Sequence, residues 1–390
     1  MRVLIVGAGI GGLTAALALR RRGFAVTVFE QAAELRELGA GLQLGPNGTR
    51  VLIDLGLGEA MERVVCSAAG KEIRLWNTGQ SWKLFDLGEQ AVERYGAPYW
   101  MVHRGDFQSV LLQAAGDLVR CGAVCTGFMQ DDRGVTLNLA DGEQVRGDVL
   151  VGADGVHSRI RQQIFGARPA RFTGLMAWRG LVPMQRLPDH QRRPVGANWV
   201  GRGGHVVTYP LRQGEMLNFV GVVERADWQI ESWTERGTPD ECARDLAGWH
   251  ADVQRIIRNI ETPYKWALLG RDPLSRLHED RVALLGDAAH PMLPFLAQGA
   301  NMAIEDGMVL ARCLTAEADP VAALRRYDAA RLARATRAVL GSLDNAARFH
   351  NPALGEAAGA AAYVDREWQP QKVMQRYDWA YEYDAVTAPV

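Results

Sequence analysis

RVLIVGAGIGGLTAALALRRRGFAVTVFE, running from Arg2 to Glu30, decides the fold. Val3 to Val6 is a short apolar run, the pattern of a strand buried on both faces. Gly7, Gly9 and Gly12 follow with the spacing G-x-G-x-x-G. In such a unit the first glycine makes a tight turn. The second lets a pyrophosphate reach the backbone, and the third lets the next helix pack close to the sheet. An Ala- and Leu-rich segment, about Gly11 to Arg22, reads as that helix, and Gly23 ends it. Its first turn offers free N–H groups and the positive end of a dipole to a phosphate. Ala25 to Glu30 reads as a second strand, closed by an acid 18 residues after Gly12. A carboxylate there accepts hydrogen bonds from a ribose diol and argues against a 2′-phosphate. Gln31, the next residue, is a further candidate contact. The whole unit grips a dinucleotide; by itself it leaves NAD and FAD both open.

The remaining composition narrows the class. The chain has 390 residues, 48% of them hydrophobic and 23% charged, with a net charge of -1, so no electrostatic case exists for nucleic acid. Cys66, Cys121, Cys125, Cys242 and Cys313 are scattered, and no metal-ligand spacing occurs. No signal segment is expected ahead of the first strand, and no apolar run approaches the ~20 residues that span a bilayer. The expectation is a soluble, cytoplasmic protein with no metal and with two or three domains, or one large domain with insertions.

Three further segments select the cofactor. HRGDFQSVLLQAA, from His103, carries Arg104 into an amphipathic helix. DVLVGADGVHSRIR, from Asp148, runs a strand into Asp154, Gly155, Ser158 and Arg159. RVALLGDAAHPMLPFLAQGANMAIEDGMVLARCL, from Arg281, ends a strand at Gly286-Asp287, crosses a proline-rich loop and enters a helix at about Gly299. With the glycine unit, these segments resemble the flavin-dependent aromatic hydroxylases, the salicylate and hydroxybenzoate hydroxylase group, over Arg2 to about Arg334. No second strand–G-x-G-x-x-G–helix unit occurs, as a dedicated nicotinamide domain would need.

The resemblance implies non-covalent FAD as resident cofactor, and NAD(P)H and dioxygen as co-substrates. It implies hydroxylation of a phenolic aromatic acid through a flavin C4a-hydroperoxide, with 3-hydroxybenzoate or salicylate as the expected substrate. Gly7, Gly9, Gly12, Glu30, Gln31, Arg104, Asp154 and Asp287 would hold FAD. Gly299, Ala300 and Asn301 would present a helix tip to the flavin's pyrimidine edge, where reduction places negative charge. Asp154 and Arg159 are equally readable as a salt bridge that braces their turn. A hydroxypyridine carboxylate as substrate, and a flavin oxidase or redox sensor on the same fold, are the rival readings.

The fold expected is α/β: a Rossmann-like FAD-binding fold with an interleaved antiparallel-sheet substrate domain and a C-terminal helical tail. Residues 1–70, 98–170 and 268–345 would form the FAD-binding domain. Residues 71–97 and 171–267 would form the β-rich substrate domain, with one helix near Pro239 to Asn259, and 346–390 the tail. On a strand, His205 and Tyr209 face one way together with Val207. Several members of the group carry His and Tyr at this spacing in the substrate pocket. There Tyr209 would orient the phenol and His205 would assist its deprotonation. Gln43, Trp178 and Phe295 are candidate substrate contacts, with Met176 and Leu296 as further apolar walls. Pro294 is a catalytic candidate through its backbone carbonyl. Some 3-hydroxybenzoate 6-hydroxylases have glutamine there, and some relatives acting on nitrogen heterocycles have histidine at the position of Gln43. The protein is expected to be a monomer or homodimer with no nucleic-acid partner and no membrane span.

Overall fold

The computed structural model of the chain describes residues 1–34, 40–225, 227 and 235–390. Two sheets organise it. The first has six strands in the order His278–Glu279, Val282–Leu284, Val149–Gly152, Arg2–Val6, Ala25–Phe29, Val119–Arg120. All its pairs are parallel except the outermost, His278–Glu279 with Val282–Leu284. Val3, Leu4 and Ile5 have no exposed surface, as a strand covered on both faces requires. The glycine-turn helix spans Ile10–Arg20, and Gly23 follows it with a φ of 83°.

The second sheet has seven strands: Tyr264–Gly270, Arg171–Pro183, Met216–Glu224, Gly204–Leu211, Val195–Gly201, Gly70–Leu75 and Ser81–Asp86. The strands Gly70–Leu75 and Ser81–Asp86, from the segment expected to start the substrate domain, form a hairpin that joins this sheet. It does so through a parallel pairing of Gly70–Leu75 with Val195–Gly201, the one parallel pair in an otherwise antiparallel sheet. Strand alternation gives the sheet two unlike faces. Met176, Trp178, Val182, Trp199, Val206 and Phe219 point to an outer face, packed with Cys242, Val253 and Ile257. The covering element is two helices, Pro239–Asp245 and Ala251–Arg258, not the single one expected. Gly248, at a φ of 81°, lies in the break. Ala177, Val200, Tyr209, Val222 and Trp266 share the inner face with Phe295 and Leu296. A small sheet of Gly41–Leu44, Trp100–His103 and Val65–Ser67 adjoins that face: a Cβ on Gly41 would stand 2.5 Å from the Tyr209 ring.

The helix Gly299–Ala316 crosses Ile10–Arg20 at near backbone contact, since a Cβ on Gly307 would lie 2.7 Å from the Ala15 nitrogen. Beneath it lies a buried ionic cluster. Arg331, from the 30-residue helix Pro320–Phe349, pairs with Glu305 at 2.7 Å and with Asp306 at 2.7 Å. All three side chains are fully buried. Asp306 also binds His290 at 2.5 Å and accepts the Gly286 N–H at 3.0 Å. Glu305 accepts from Asn47 at 2.6 Å and pairs with Arg334.

The tail forms two helices, Ala357–Glu367 and Pro370–Tyr381, and packs within the chain. Tyr381 sits edge-on to Tyr95 and Tyr99, and Arg334 lies over the Tyr383 ring at 3.9 Å. Its aromatics therefore fill the inner-face core, with Tyr383 reaching the helices of the first sheet. No helix among the described residues is long and apolar enough to cross a membrane.

Removing the cation of a buried ion cluster leaves its carboxylates without compensation. Arg331→Met is expected to lower the stability of the protein by about 3–5 kcal/mol, read as a fall in the urea midpoint.

Candidate functional site

The glycine turn is built for a ligand on one side only. Gly7 has a φ of 104°, and a Cβ there would stand 2.4 Å from the Ala153 carbonyl oxygen. A Cβ on Gly12 would stand 2.0 Å from the Gly7 oxygen. The protein itself forbids side chains at both. At Gly9 a Cβ would meet nothing within 4 Å, so the chain leaves that approach open. Glu30 follows the second strand with its carboxylate set by two backbone amides: Ala8 donates to Oε2 at 2.9 Å and Ala32 to Oε1 at 2.9 Å. Each oxygen retains a lone pair that a ribose hydroxyl fits. Gln31 is exposed beside it.

Asp154 does not brace its turn by a salt bridge to Arg159. Its Oδ2 accepts the backbone N–H groups of Arg159 at 2.8 Å and Ile160 at 3.3 Å, tying the turn to the start of the helix Arg159–Phe165. Its Oδ1 is buried with no partner among the described residues. Asp287 stands on a backbone pinned on both flanks. Asp306 holds Gly286, and the Arg161 guanidinium donates to the Asp287 and Ala288 carbonyls at 3.1 and 3.0 Å. The Asp287 side chain is open to solvent yet walled by protein, the situation of a group in a deep cleft. That burial raises its carboxyl above the ordinary value, against the pull of His290, Arg104, Arg161 and Arg271. Arg104, at the start of the helix Arg104–Ala115, is its neighbouring cation.

Gly299 and Ala300 are half-buried at the tip of their helix. Asn301 is fully buried, and its amide is engaged by the chain: Oδ1 accepts from Gly45 at 2.9 Å, and Nδ2 donates to Ala297 at 2.8 Å and Gln43 at 3.2 Å. Asn301 thus ties the strand Gly41–Leu44 to the helix tip, and its side chain is not available to a cofactor. The open approach at Gly9, the half-used carboxylate of Glu30, the unpartnered Asp154 oxygen and the cleft-standing Asp287 fit FAD.

The second cluster lies on the inner face of the seven-stranded sheet. His205, Val207 and Tyr209 do share it. His205 is 1% exposed, with the Phe295 ring edge-on at 5.0 Å and Phe349 at 5.1 Å. Its Nδ1 lies 2.6 Å from Nε2 of His350, whose own Nδ1 lies 3.5 Å from the exposed Glu224 carboxylate. Burial, then the neighbouring His350, depresses His205 well below the ordinary imidazole value; burial draws His350 down to about 4. Both rings are neutral at neutral pH. Tyr209 shares Gln43 with Tyr99: the Tyr99 hydroxyl donates to Gln43 Oε1 at 2.8 Å, and Gln43 also bonds Tyr209. Burial raises both phenols, so both remain protonated hydrogen-bonding groups.

Pro294 is exposed on a single 3-10 turn, while Phe295 and Leu296 behind it are buried in the inner-face core. Trp178 and Met176 are not in this cluster. They lie on the outer face, where the Trp178 indole donates to Asp245 at 2.8 Å under the Pro239–Asp245 helix. Trp178 sits an odd number of residues from Ala177, and alternation sends the two to opposite faces. Tyr99, His350 and the partner of His290 escaped the sequence reading, because each contact joins residues far apart in the chain. The loop ahead of Gln43 lies partly outside the described residues.

The model of the FAD binding domain family matches residues 1–342. A 3-amino-4-hydroxybenzoate 2-monooxygenase of Streptomyces platensis, PtmB3, is 41% identical over 391 residues, covering 100% of this chain and 97% of that one. A 3-hydroxybenzoate 6-hydroxylase of Aquipseudomonas alcaligenes is 36% identical, covering 98% of each. Among solved structures, Klebsiella pneumoniae HpxO complexed with FAD and uric acid superposes with a TM-score of 0.83 at 30% identity, covering 96% of this chain and 97% of that one.

The two kinds of glycine are separable. Gly9→Ala is expected to leave the unfolding curve of the flavin-free protein unchanged and to weaken FAD binding in a fluorescence titration. Gly12→Ala is expected to destabilise the flavin-free protein as well.

Proposed function

The chain belongs to the FAD-binding family of flavin-dependent aromatic monooxygenases, and from that premise we propose that it hydroxylates a phenolic aromatic acid of the hydroxybenzoate type, using NAD(P)H and dioxygen. One observation carries the assignment of the site. The loop residue Phe295, just ahead of the Gly299 helix tip, presses edge-on against His205. It thereby joins the flavin end of the molecule to the sheet face bearing His205 and Tyr209. The identity of 41% with 3-amino-4-hydroxybenzoate 2-monooxygenase, against 36% with the 3-hydroxybenzoate enzyme, supports an aminophenolic acid as the first candidate substrate.

Gly7, Gly9, Gly12, Glu30, Arg104, Asp154, Asp287, Gly299 and Ala300 would hold FAD. Bound FAD would supply the redox chemistry of hydride acceptance and dioxygen activation that an aromatic hydroxylation needs. The chain's own residues orient the ring, exclude water and take the phenol proton. Tyr209, neutral and braced by Gln43, donates to the phenol oxygen. His205, also neutral, receives the phenol proton at Nε2 and releases the one it shares with His350 at Nδ1. His350 passes a proton on toward Glu224 and solvent. A neutral imidazole pair 2.6 Å apart transfers protons without holding a charge in the core. Ionised phenol is electron-rich at its ortho and para carbons, the positions that take oxygen.

The test is a panel of 3-amino-4-hydroxybenzoate, 3-hydroxybenzoate, salicylate and 6-hydroxynicotinate. It is scored by stimulated NADH and NADPH oxidation and by entry of one labelled oxygen atom from dioxygen into product. Hydrogen peroxide in full yield with every compound would count against the hydroxylase reading and favour an oxidase. In the wild-type background, His205→Gln and Tyr209→Phe are expected to cut the hydroxylation rate about a hundredfold while FAD stays bound. His350→Gln is expected to lower kcat about tenfold with little change in KM, and added imidazole should restore part of it. An unchanged kcat would remove His350 from the proton path.

A further inference from the structure

Lys71 occupies a position made for an apolar side chain. On the strand Gly70–Leu75 it shares its face with Ile73 and Leu75, both buried in the inner-face core, and it is itself 6% exposed. Glu72, its neighbour, points to the other face and pairs there with Arg74 and Arg193. Among the described residues, no carboxylate reaches the Lys71 ammonium. Its nearest compensation is the face of Tyr99, with Nζ 5.1 Å from the ring centre. A ring face is a weak substitute for a counter-ion in a dry site.

The register places this cation at the aromatic site. Lys71 pairs with Gly196, and the next residue in the same row is Tyr209, since Ala197 pairs with Thr208 on the adjoining strands. Strands are spaced about 4.8 Å apart, so Lys71 and Tyr209 flank a two-strand gap whose middle residue has no side chain. The Lys71 stem leans into that gap: a Cβ on Gly196 would stand 3.4 Å from its Cγ and 3.8 Å from its Cε. The methyl of Met101 is the other group there, at 3.0 Å. Among the described residues, the titratable group against the ammonium is Tyr99, with Tyr209 two strands away in the same row; burial keeps both phenols neutral. A further cation of this face is Arg179, across Val220 from Val207, with Tyr264 and Trp266 as ring contacts.

We propose that Lys71 is the anion anchor of the aromatic site, receiving the substrate's carboxylate while Tyr209 takes the phenol at the other end of the ring. The proposal rests on the hydroxylase reading and adds to it the requirement for a carboxylate. A buried ammonium with no counter-ion is destabilised, and an entering carboxylate supplies the missing charge. Burial alone draws Lys71 down to about 7. A carboxylate beside it raises that value again, so above neutral pH the bound acid brings a proton onto the lysine.

The experiment uses the FAD-loaded protein and two probes, 3-amino-4-hydroxybenzoate and its neutral carboxamide, with binding followed by the change in flavin absorbance. Wild type is expected to bind the acid at least about tenfold tighter than the amide. Lys71→Met should erase that preference by weakening the acid alone, and Lys71→Arg should keep part of it. Calorimetry at pH 8 in two buffers of different ionisation heat should show proton uptake with the acid in wild type and none in Lys71→Met. A preference that survives Lys71→Met, or that disappears instead with Arg179→Gln, overturns the anchor and leaves the hydroxylase reading standing. If Lys71→Met fails to hold FAD, the wild-type comparison decides: equal affinity for acid and amide, without proton uptake, overturns the anchor. If neither probe binds wild type or stimulates NADH or NADPH oxidation, the substrate class is wrong and the anchor falls with it.

Discussion

The Asp306 carboxylate is the point from which the cofactor cleft is set. It is fully buried and bonds three groups: the Arg331 guanidinium, the His290 ring and the Gly286 amide. Burial alone would drive an aspartate toward its neutral form. Here the two cations and the amide win, and the carboxyl is held well below its usual range. Through Glu305 the same cluster reaches Asn47, which also bonds Gln298 at the helix tip. A loop, two helices and the segment after Gln43 thus share one set of charges that cannot be rearranged piecemeal. Such a cluster adds little net stability over apolar packing, but it leaves one geometry satisfied. That geometry puts Asp287 in the cleft and Gly299 at its end.

The inner face of the second sheet is the other half of the design. Alternation lays His205, Val207 and Tyr209 along one side of a strand and hands the opposite side to Val206 and Thr208. The Gly299 helix contributes through the loop that precedes it, since the backbones of Leu293 and Phe295 are held by Ser342 and Asn345 of the long helix. The tail completes the enclosure by bringing Tyr381 against Tyr99. His205, through His350, and Tyr209, through Gln43, are therefore each held by an element distant in sequence.

Much of this was readable from the chain. The glycine unit specifies the first strand, its helix, the second strand and Glu30 because each requirement is local and steric. The alternation at His205 and Tyr209 likewise needs only a strand. What escaped is non-local. Trp178 is as apolar as any pocket wall, and only the register shows that it backs onto helices. Asn301 sits where a cofactor contact is expected, yet the chain's own amides use its side chain. The break at Gly248 divides a helix whose apolar pattern reads as continuous. Lys71 did leave a local signal: a lysine in phase with Ile73 and Leu75. That signal gains meaning only when Gly196 and Tyr209 are seen beside it.

The threading of the chain carries a consequence for biosynthesis. The seven-stranded sheet cannot close until Val195–Gly201 meets Gly70–Leu75, a partner made more than a hundred residues earlier. The parallel sheet waits longer still, for Val282–Leu284, and the charges under the Gly299 helix wait for Arg331. On a ribosome, where segments emerge in order, the glycine turn is among the first parts synthesised and among the last to be finished. Flavin capture is therefore a late event, and a nascent chain of this kind depends on its amino-terminal half remaining unaggregated until the far end arrives.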